Sequence, residues 1–383
     1  MIFIKECNLN DLQKRTWAEV SLGNIKHNYE AIRKALPEGC RFLGVVKADA
    51  YGHGALSVSK LLQDCGADWL AVSCLDEALE LRSGGITLPI LILGHTPERY
   101  TKELIENNIT QAVSNLAKAE LFSAEAVKLG KKLKVHIKLD TGMARLGFLC
   151  GGEHFESGVE NIAKTCALPG IDPEGIFTHF AVSDEPGEDN KKYTLGQFDL
   201  FMKVIDTLKQ RGVEFKIRHC ANSGAVVNYP ETVLDMVRPG LLLYGYGDTE
   251  GKLGLKPCMR FVTTVATIKH YEAGVCVSYG RHYVTSRKTR MAVLAAGYAD
   301  GLPRASSGKC SYYVEGGYAP QCGSICMDMN MADITDIKDA AVGSEVELFG
   351  EHNSIYKISE AAGTIPYELL CSVTKRVPRI YIA

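Results

Sequence analysis

Phe42-Leu43-Gly44-Val45-Val46-Lys47-Ala48-Asp49-Ala50-Tyr51-Gly52-His53-Gly54 decides how the rest of this chain is read. Five apolar, β-prone residues run into a single lysine, then into a turn rich in Gly, Asp and His. A helical pattern begins near Ala55. A short apolar run closed by a polar turn and a helix reads as a buried parallel strand with Lys47 at its C-terminal end. A lysine pressed against apolar surface has its pKa lowered, and the free amine can attack a carbonyl. A lysine at a strand end also commonly snorkels to water, so Lys47 needs company before it means chemistry.

Working outward, the same alternation repeats. Strands are expected at Phe42–Val46, Trp69–Val72, Pro89–Leu93, Gln111–Val113, Lys134–Leu139, Gly175–Phe177, Phe215–Arg218 and Met236–Val237. Between them lie helical patterns, among them Ala55–Cys65, Leu75–Ser83, Leu116–Leu129 and Tyr193–Gln210. This is the signature of an α/β fold of the (β/α)8 type, a TIM-like barrel. No Gly-x-Gly-x-x-Gly follows the first strand, which disfavours a dinucleotide-binding sheet. After Pro257 the texture changes to strands with Gly-rich turns: Val262–Lys269, Val275–Ser278, Met291–Ala296, Cys310–Val314 and Glu345–Phe349. The expected organisation is an N-terminal arm over 1–15, a barrel over 16–256 and a C-terminal mostly-β domain over 257–383.

Composition bounds the function. With 46% hydrophobic and 23% charged residues and a formal net charge of −2, the chain reads as a globular enzyme-sized protein. No basic block suggests nucleic acid or an anionic membrane as partner, and no apolar run is long enough to span a bilayer. The N-terminus lacks a secretory pattern, and thirteen scattered cysteines suit reduced thiols in a cytoplasm. Cys322 and Cys326 have no second pair at zinc spacing, so no metal is expected.

In a barrel of this type the active site lies at the C-terminal strand ends. Lys47 follows the first strand, Asp140-Thr141-Gly142-Met143-Ala144-Arg145 the fifth, Thr178-His179-Phe180 the sixth, His219-Cys220-Ala221-Asn222-Ser223-Gly224 the seventh and Arg238-Pro239-Gly240-Leu241 the eighth. All five polar clusters fall on one rim. The loops after strands seven and eight are the usual phosphate site, and Ser223, Gly224 and Gly240 have the required small size. A lysine amine and a phosphate cradle on one rim suggest pyridoxal phosphate, which is held covalently through a lysine. Arg238 then indicates the reaction. A carboxylate beside the pyridine nitrogen would keep it protonated, whereas an arginine stays charged and cannot accept that proton. That weaker electron sink favours racemisation over transamination. Racemisation needs a base on each face of Cα: Lys47 on one, and Tyr279 in Val277-Ser278-Tyr279-Gly280 as the candidate for the other.

These residues resemble the alanine racemases. The resemblance is carried by Lys47–Gly54, Lys138-Leu139-Asp140-Thr141-Gly142-Met143, Thr178-His179-Phe180, Ala221-Asn222-Ser223, Val237-Arg238, Val277–Gly280, Gly297-Tyr298-Ala299-Asp300-Gly301 and Ile325-Cys326-Met327-Asp328. It implies a head-to-tail homodimer with shared active sites. Lys47 carries the cofactor, and Tyr279 of the other subunit is the opposing base. Arg238 meets the pyridine nitrogen, Arg145 the phenolic oxygen and the substrate, and His179 sits behind the cofactor. Tyr51, Ser223, Gly240, Leu241 and Tyr367 hold the phosphate, with Asn222 in the same loop. The Met327 N–H receives the substrate carboxylate. Tyr298, Asp184, His219 and Arg304 resemble residues at the entrance, and Lys138 matches a lysine that is often carbamylated. Three positions depart from the usual pattern: Ser324 where arginine is common, Pro239 after Arg238, and Pro366 before Tyr367.

The resemblance implies interconversion of L- and D-alanine for peptidoglycan. Alternatives are a serine or serine/alanine racemase domain from a vancomycin-resistance protein, a non-enzymatic pyridoxal-phosphate barrel, and a barrel decarboxylase. The β domain with its tyrosine argues against the second, and Arg238 with Tyr279 against the third. Tyr367 favours alanine, because a bulky phenol leaves room for little more than a methyl group.

Overall fold

The computed structural model describes residues 15–248 and 250–383, so the expected arm over 1–15 lies, apart from Arg15, outside the described residues. The chain divides into two compact units: Lys26–Ala50 with Ala55–Leu255, and a second comprising the described residues up to Ile25, Tyr51–Gly54 and Lys256–Ala383.

The first unit is a parallel barrel. Its strands are Arg41–Val45, Trp69–Val72, Ile90–Ile92, Ile109–Val113, Leu133–Asp140, Ile171–Phe177, Ile217–His219 and Met236–Val237. The first seven pair in parallel with their sequence neighbours, and Met236–Val237 pairs back onto Arg41–Phe42. The remaining seam, between strands seven and eight, closes on an isolated parallel bridge between Asn222 and Arg238. The Asp235 N–H donates to Arg218 O at 3.1 Å and the Arg238 N–H to Ala221 O at 3.0 Å. The strands read as unbroken apolar runs because both faces are covered: Trp69–Val72 and Ile90–Ile92 are buried throughout. Helices follow the strands, with Asn115 capping Leu116–Lys128 by accepting the Lys118 N–H at 2.8 Å.

Immediately after Val46 the chain does something the sequence does not announce. Ala48, Asp49, Ala50 and Tyr51 have φ of 52°, 54°, 54° and 52°, one turn of left-handed helix built from residues with side chains. Each such residue costs roughly 1–2 kcal/mol. Specific bonds oppose that strain. The two Glu77 carboxylate oxygens accept the Ala48 and Ser73 N–H groups, both at 2.7 Å. Asp49 accepts the Ala55 N–H at 2.7 Å, which starts the next helix. Gly52 then continues at φ 79°, where a Cβ would strike the Leu370 carbonyl.

The second unit is mostly antiparallel β. Its eight-stranded sheet runs Thr289–Leu294, Asn330–Asp333, Gly317–Cys322, Ser311–Val314, Glu345–Phe349, Met259–Tyr271, Thr16–Ser21 and Arg379–Ile382. Met259–Tyr271 also pairs with Thr289–Leu294, so six of these strands close on themselves. Thr16–Ser21, counted with the barrel on sequence grounds, is hydrogen-bonded here instead, antiparallel to Met259–Thr263 and parallel to Arg379–Ile382. Trp17, Val262 and Ile380 pack together across that junction. No helix among the described residues is long and apolar enough to cross a membrane, and their twelve cysteines are all free.

Candidate active site

Strand ends of the first unit bring a dense set of cations together. Arg238 leaves the eighth strand and is almost wholly buried. Its guanidinium donates to His219 Nδ1 at 3.0 Å, to the Thr178 carbonyl at 2.8 Å and to the Cys220 carbonyl at 3.0 Å, with His179 Nδ1 at 3.4 Å. No carboxylate stands among these partners. Because Arg238 donates to His219 Nδ1, the His219 proton sits on Nε2 and points to His136 Nδ1, 2.8 Å away. His219 also stacks on Phe177, ring centroids 4.8 Å apart. Burial first, and Arg238 second, push the pKa of His136, His179 and His219 down, that of His136 to about 3. All three are neutral at physiological pH, leaving Arg238 as the charge of this network.

Lys138, on the fifth strand, lies 4.6 Å over the Phe177 ring. Burial, then Arg238 and Arg145, depress its pKa well below the lysine range, with Asp140 opposing. Asp140 itself accepts the Gly142 and Ala144 N–H groups at 3.0 Å, shaping the loop that carries exposed Arg145. Half-buried Lys47 adds to the field that keeps His179 neutral. After strand seven, Asn222 caps the turn Ser223–Asn228, and Ser223 Oγ accepts the Gly240 N–H at 2.9 Å and the Leu242 N–H at 3.4 Å. The two candidate phosphate loops are thereby stitched together. Gly224 also has a packing reason to lack a side chain: a Cβ there would press on the backbone of Ser183 and Asp184 at 2.7–2.9 Å.

The second unit holds its own set. Tyr51 is buried, with its ring centroid 6.1 Å from that of Tyr367, which rides on the helix Pro366–Ser372. Pro366 occupies the first helical turn, where its missing N–H is harmless. Tyr279, Met327 and Tyr298 are exposed, at 72%, 53% and 41%. Met327 and Tyr298 lie on loops that brace each other: Tyr298 N donates to Cys326 O and Ala299 N to Met327 O, both at 3.0 Å. The buried Asp300 carboxylate locks that corner, accepting from Arg15, Arg376 and the Gly297 N–H.

The sequence of residues 20–248 matches the family model described as alanine racemase, N-terminal domain, and residues 258–381 match alanine racemase, C-terminal domain. This chain belongs to the alanine racemase family. It is 44% identical to the alanine racemase of Clostridium perfringens strain SM101 over 373 residues, covering 95% of each chain. It is likewise 44% identical to that of Clostridium tetani, covering 96% of this chain and 95% of the relative. The solved alanine racemase of Clostridium difficile 630 superposes with a TM-score of 0.90 at 40% identity, covering 97% of this chain and 96% of that one.

Against the family pattern, the first unit gathers Lys47, Lys138, Arg145, His179, Asn222, Ser223, Arg238, Gly240 and Leu241 at barrel-strand ends, and the second carries Tyr51, Tyr279, Tyr298, Met327 and Tyr367. His219, placed at the entrance by resemblance, is fully buried beneath Arg238 and lines no entrance. Three participants were not read from sequence. His136 was visible in principle, because residues two apart share a strand face and His136, Lys138 and Asp140 form such a row. Glu77 and the Thr178 carbonyl left no signal, since both act on backbone that is distant in sequence or unspecific in type.

Proposed function

We propose that this chain interconverts L- and D-alanine with pyridoxal phosphate held at Lys47, and that its active site is shared between two copies. The observation that carries the reading is Arg238: a buried guanidinium fixed by three neutral acceptors, with no carboxylate beside it. The donor set fits such a cofactor. Lys47, Lys138, Arg145 and Arg238 are balanced nearby by Asp140, whose acceptor oxygen already serves two amides, so the rim suits a phosphate and a phenolate.

When bound, the cofactor's conjugated ring supplies the electron sink for a Cα carbanion. The chain's residues supply the rest. Lys47 would hold the cofactor covalently, and its amine would move a proton at one face of the substrate's Cα. Arg238 would meet the ring nitrogen as a cation, with no carboxylate among its partners to share a proton with. By the family pattern Ser223, Asn222, Gly240, Leu241, Tyr51 and Tyr367 would hold the phosphate, and Arg145 would meet the phenolic oxygen. Exposed Tyr279 and Met327 serve a second copy: the phenol moves the proton on the opposite face and the Met327 N–H receives the substrate carboxylate, with Tyr298 beside it. Burial and the neighbouring Arg238 and Arg145 shift Lys138 towards the unprotonated amine, the form that reacts with carbon dioxide, which supports its carbamylation. The relatives above are all named for alanine, which favours alanine over serine, and the product would feed peptidoglycan synthesis in the cytoplasm.

The test is a circular-dichroism assay of interconversion across a panel of amino acids, paired with the visible absorption of the purified protein. Alanine should be the fastest substrate, and Lys47→Ala should lose its visible band on dialysis. A band that survives in that variant, or a preference for serine, overturns the reading.

A further inference from the structure

Ser324 and Ser278 form a reciprocal pair. Ser324 Oγ donates to the carbonyl of Tyr279 at 2.9 Å, and Ser278 Oγ donates to the carbonyl of Ser324 at 2.7 Å. Each residue thus uses its side chain on the other strip of backbone. The two strips are as close as they can be: a Cβ on Gly323 would meet the Val277 carbonyl at 2.8 Å and the Ser278 Cβ at 2.9 Å.

The two sides are not equally rigid. The 321–325 loop is tied from behind. Gln321 Nε2 donates to the Cys322 and Gly323 carbonyls at 3.2 and 3.1 Å, and Ser307 Oγ accepts the Ile325 N–H at 3.0 Å. The Tyr279 turn carries strain: Ser278, Gly280 and Arg281 have φ of 67°, 77° and 56°. Its own cross-turn bond is long, Arg281 N to Ser278 O at 3.3 Å. Tyr279 is 72% exposed in the single chain, so packing within its own chain does little to aim the ring. A strained turn persists only when its surroundings over-determine it.

We infer that Ser324, together with Ser278, is a positioning residue that clamps the Tyr279 turn to the fixed 321–325 loop and so aims the phenol at the substrate's Cα. The inference rests on Tyr279 being the second base. It also gives Ser324 a purpose: a short hydroxyl, on a residue only 6% exposed, fits the gap between the two strips and reaches the Tyr279 carbonyl. Displacing a catalytic group by about 1 Å costs on the order of 100-fold. Removal of one clamp bond should cost about 10-fold and of both more.

The experiment compares the parent homodimer, Ser324→Ala, Ser324→Thr, Ser278→Ala, Tyr279→Phe and Ser324→Ala/Tyr279→Phe, all loaded with cofactor. Three readouts are taken: kcat and KM for alanine, wash-in of solvent deuterium at Cα of D-alanine, and amide hydrogen exchange of the 277–284 segment. The clamp predicts a fall in kcat of about 10-fold for Ser324→Ala with KM within about twofold. Deuterium wash-in to D-alanine, which needs only Lys47, should be retained. Amide exchange should rise in 277–284, and Ser324→Thr, which keeps the hydroxyl, should restore both kcat and exchange protection. In the Tyr279→Phe background Ser324→Ala should add no further loss, because the group it aims is gone. Equal losses in both backgrounds, a threonine variant as poor as the alanine one, or unchanged exchange in 277–284 would each overturn the inference. A crippled Tyr279→Phe beside an unimpaired Ser324→Ala defeats the clamp alone. A Tyr279→Phe enzyme close to the parent defeats the base assignment, and the catalytic role of the clamp with it.

Discussion

Glu77→Ala should unsettle the turn that follows Lys47, although Glu77 belongs to the helix after the second strand. The left-handed turn holds four residues with side chains at φ of 52–54°, a strain of about 4–8 kcal/mol in total. Glu77 opposes it through two charge-assisted bonds of 2.7 Å, one from each oxygen, to Ala48 and Ser73. Such bonds contribute about 1.5–3 kcal/mol each, and half-exposed Glu77 belongs at the low end, so its removal should cost about 3 kcal/mol. Glu77→Gln should be nearly as harmful despite its shape. Only one of its two polar atoms can accept, so an NH2 group would face an N–H. Ala48→Gly should act in the other sense, because glycine takes positive φ without the Cβ clash. It relieves about 1–2 kcal/mol of strain and adds about 0.5–1 kcal/mol of backbone entropy to lose, for a small net gain. Urea unfolding at fixed cofactor concentration, with amide exchange of the 47–55 segment, measures both. A Glu77→Ala protein within about 0.5 kcal/mol of the parent, or an Ala48→Gly protein less stable than it by more than about 1 kcal/mol, would refute the reasoning.

Tyr279→Phe should lower racemisation roughly 10²–10⁴-fold while Lys47 still exchanges the Cα proton of D-alanine; activity within a few-fold of the parent removes Tyr279 as a base. Mixing inactive Lys47→Ala and Tyr279→Ala proteins under conditions of subunit exchange should restore activity, since half the hybrid sites would be whole, and the absence of recovery counts against a shared site. Tyr367→Asn should shift the ratio of specificity constants towards serine by roughly 5- to 150-fold, the worth of one satisfied hydroxyl; an unchanged ratio in an active variant contradicts the pocket assignment. His136, His179 and His219 have pKa values depressed below 6.5, so below that pH the unfolded chain binds protons the folded one refuses. Stability should be complete above pH 6.5 and fall below it by about 1.4 kcal/mol per pH unit for each histidine; a flat urea midpoint between pH 7.5 and 5 would contradict the neutral buried network.

The barrel was legible because its strands are short, apolar and separated by helical periodicity, and Trp69–Val72 and Met236–Val237 were read to the residue. What escaped were elements whose cause lies elsewhere in the chain. Arg379–Ile382 is a strand because Thr16–Ser21 lies beside it. Phe155–Ala167 contains a mid-helix glycine that weakens the pattern, kept because a Cβ at Gly158 would strike the Leu149 carbonyl. In the site, residue types with rare chemistry at strand ends were visible: Lys47, Arg238 and the Ser223–Gly240 pair. The left-handed turn was not, because Ala48, Asp49 and Ala50 are ordinary residues held by a distant carboxylate. Nor was the burial of His219, since the same loop position could have faced either solvent or core.

The barrel's final seam has a thermodynamic meaning. Strands seven and eight are joined by the Asn222–Arg238 bridge, two backbone bonds and the bidentate pair of Arg218 with Asp235. Asn222 and Arg238 are also groups that would hold the cofactor, one beside its phosphate and one at its ring. A cofactor held by both would act as a rivet across the most thinly bonded joint of a closed structure. Saturation and folding become linked quantities: each tenfold excess of free cofactor over its Kd adds about 1.4 kcal/mol to stability. The first sign of losing it would be breathing at residues 217–240, ahead of any unfolding elsewhere in the barrel.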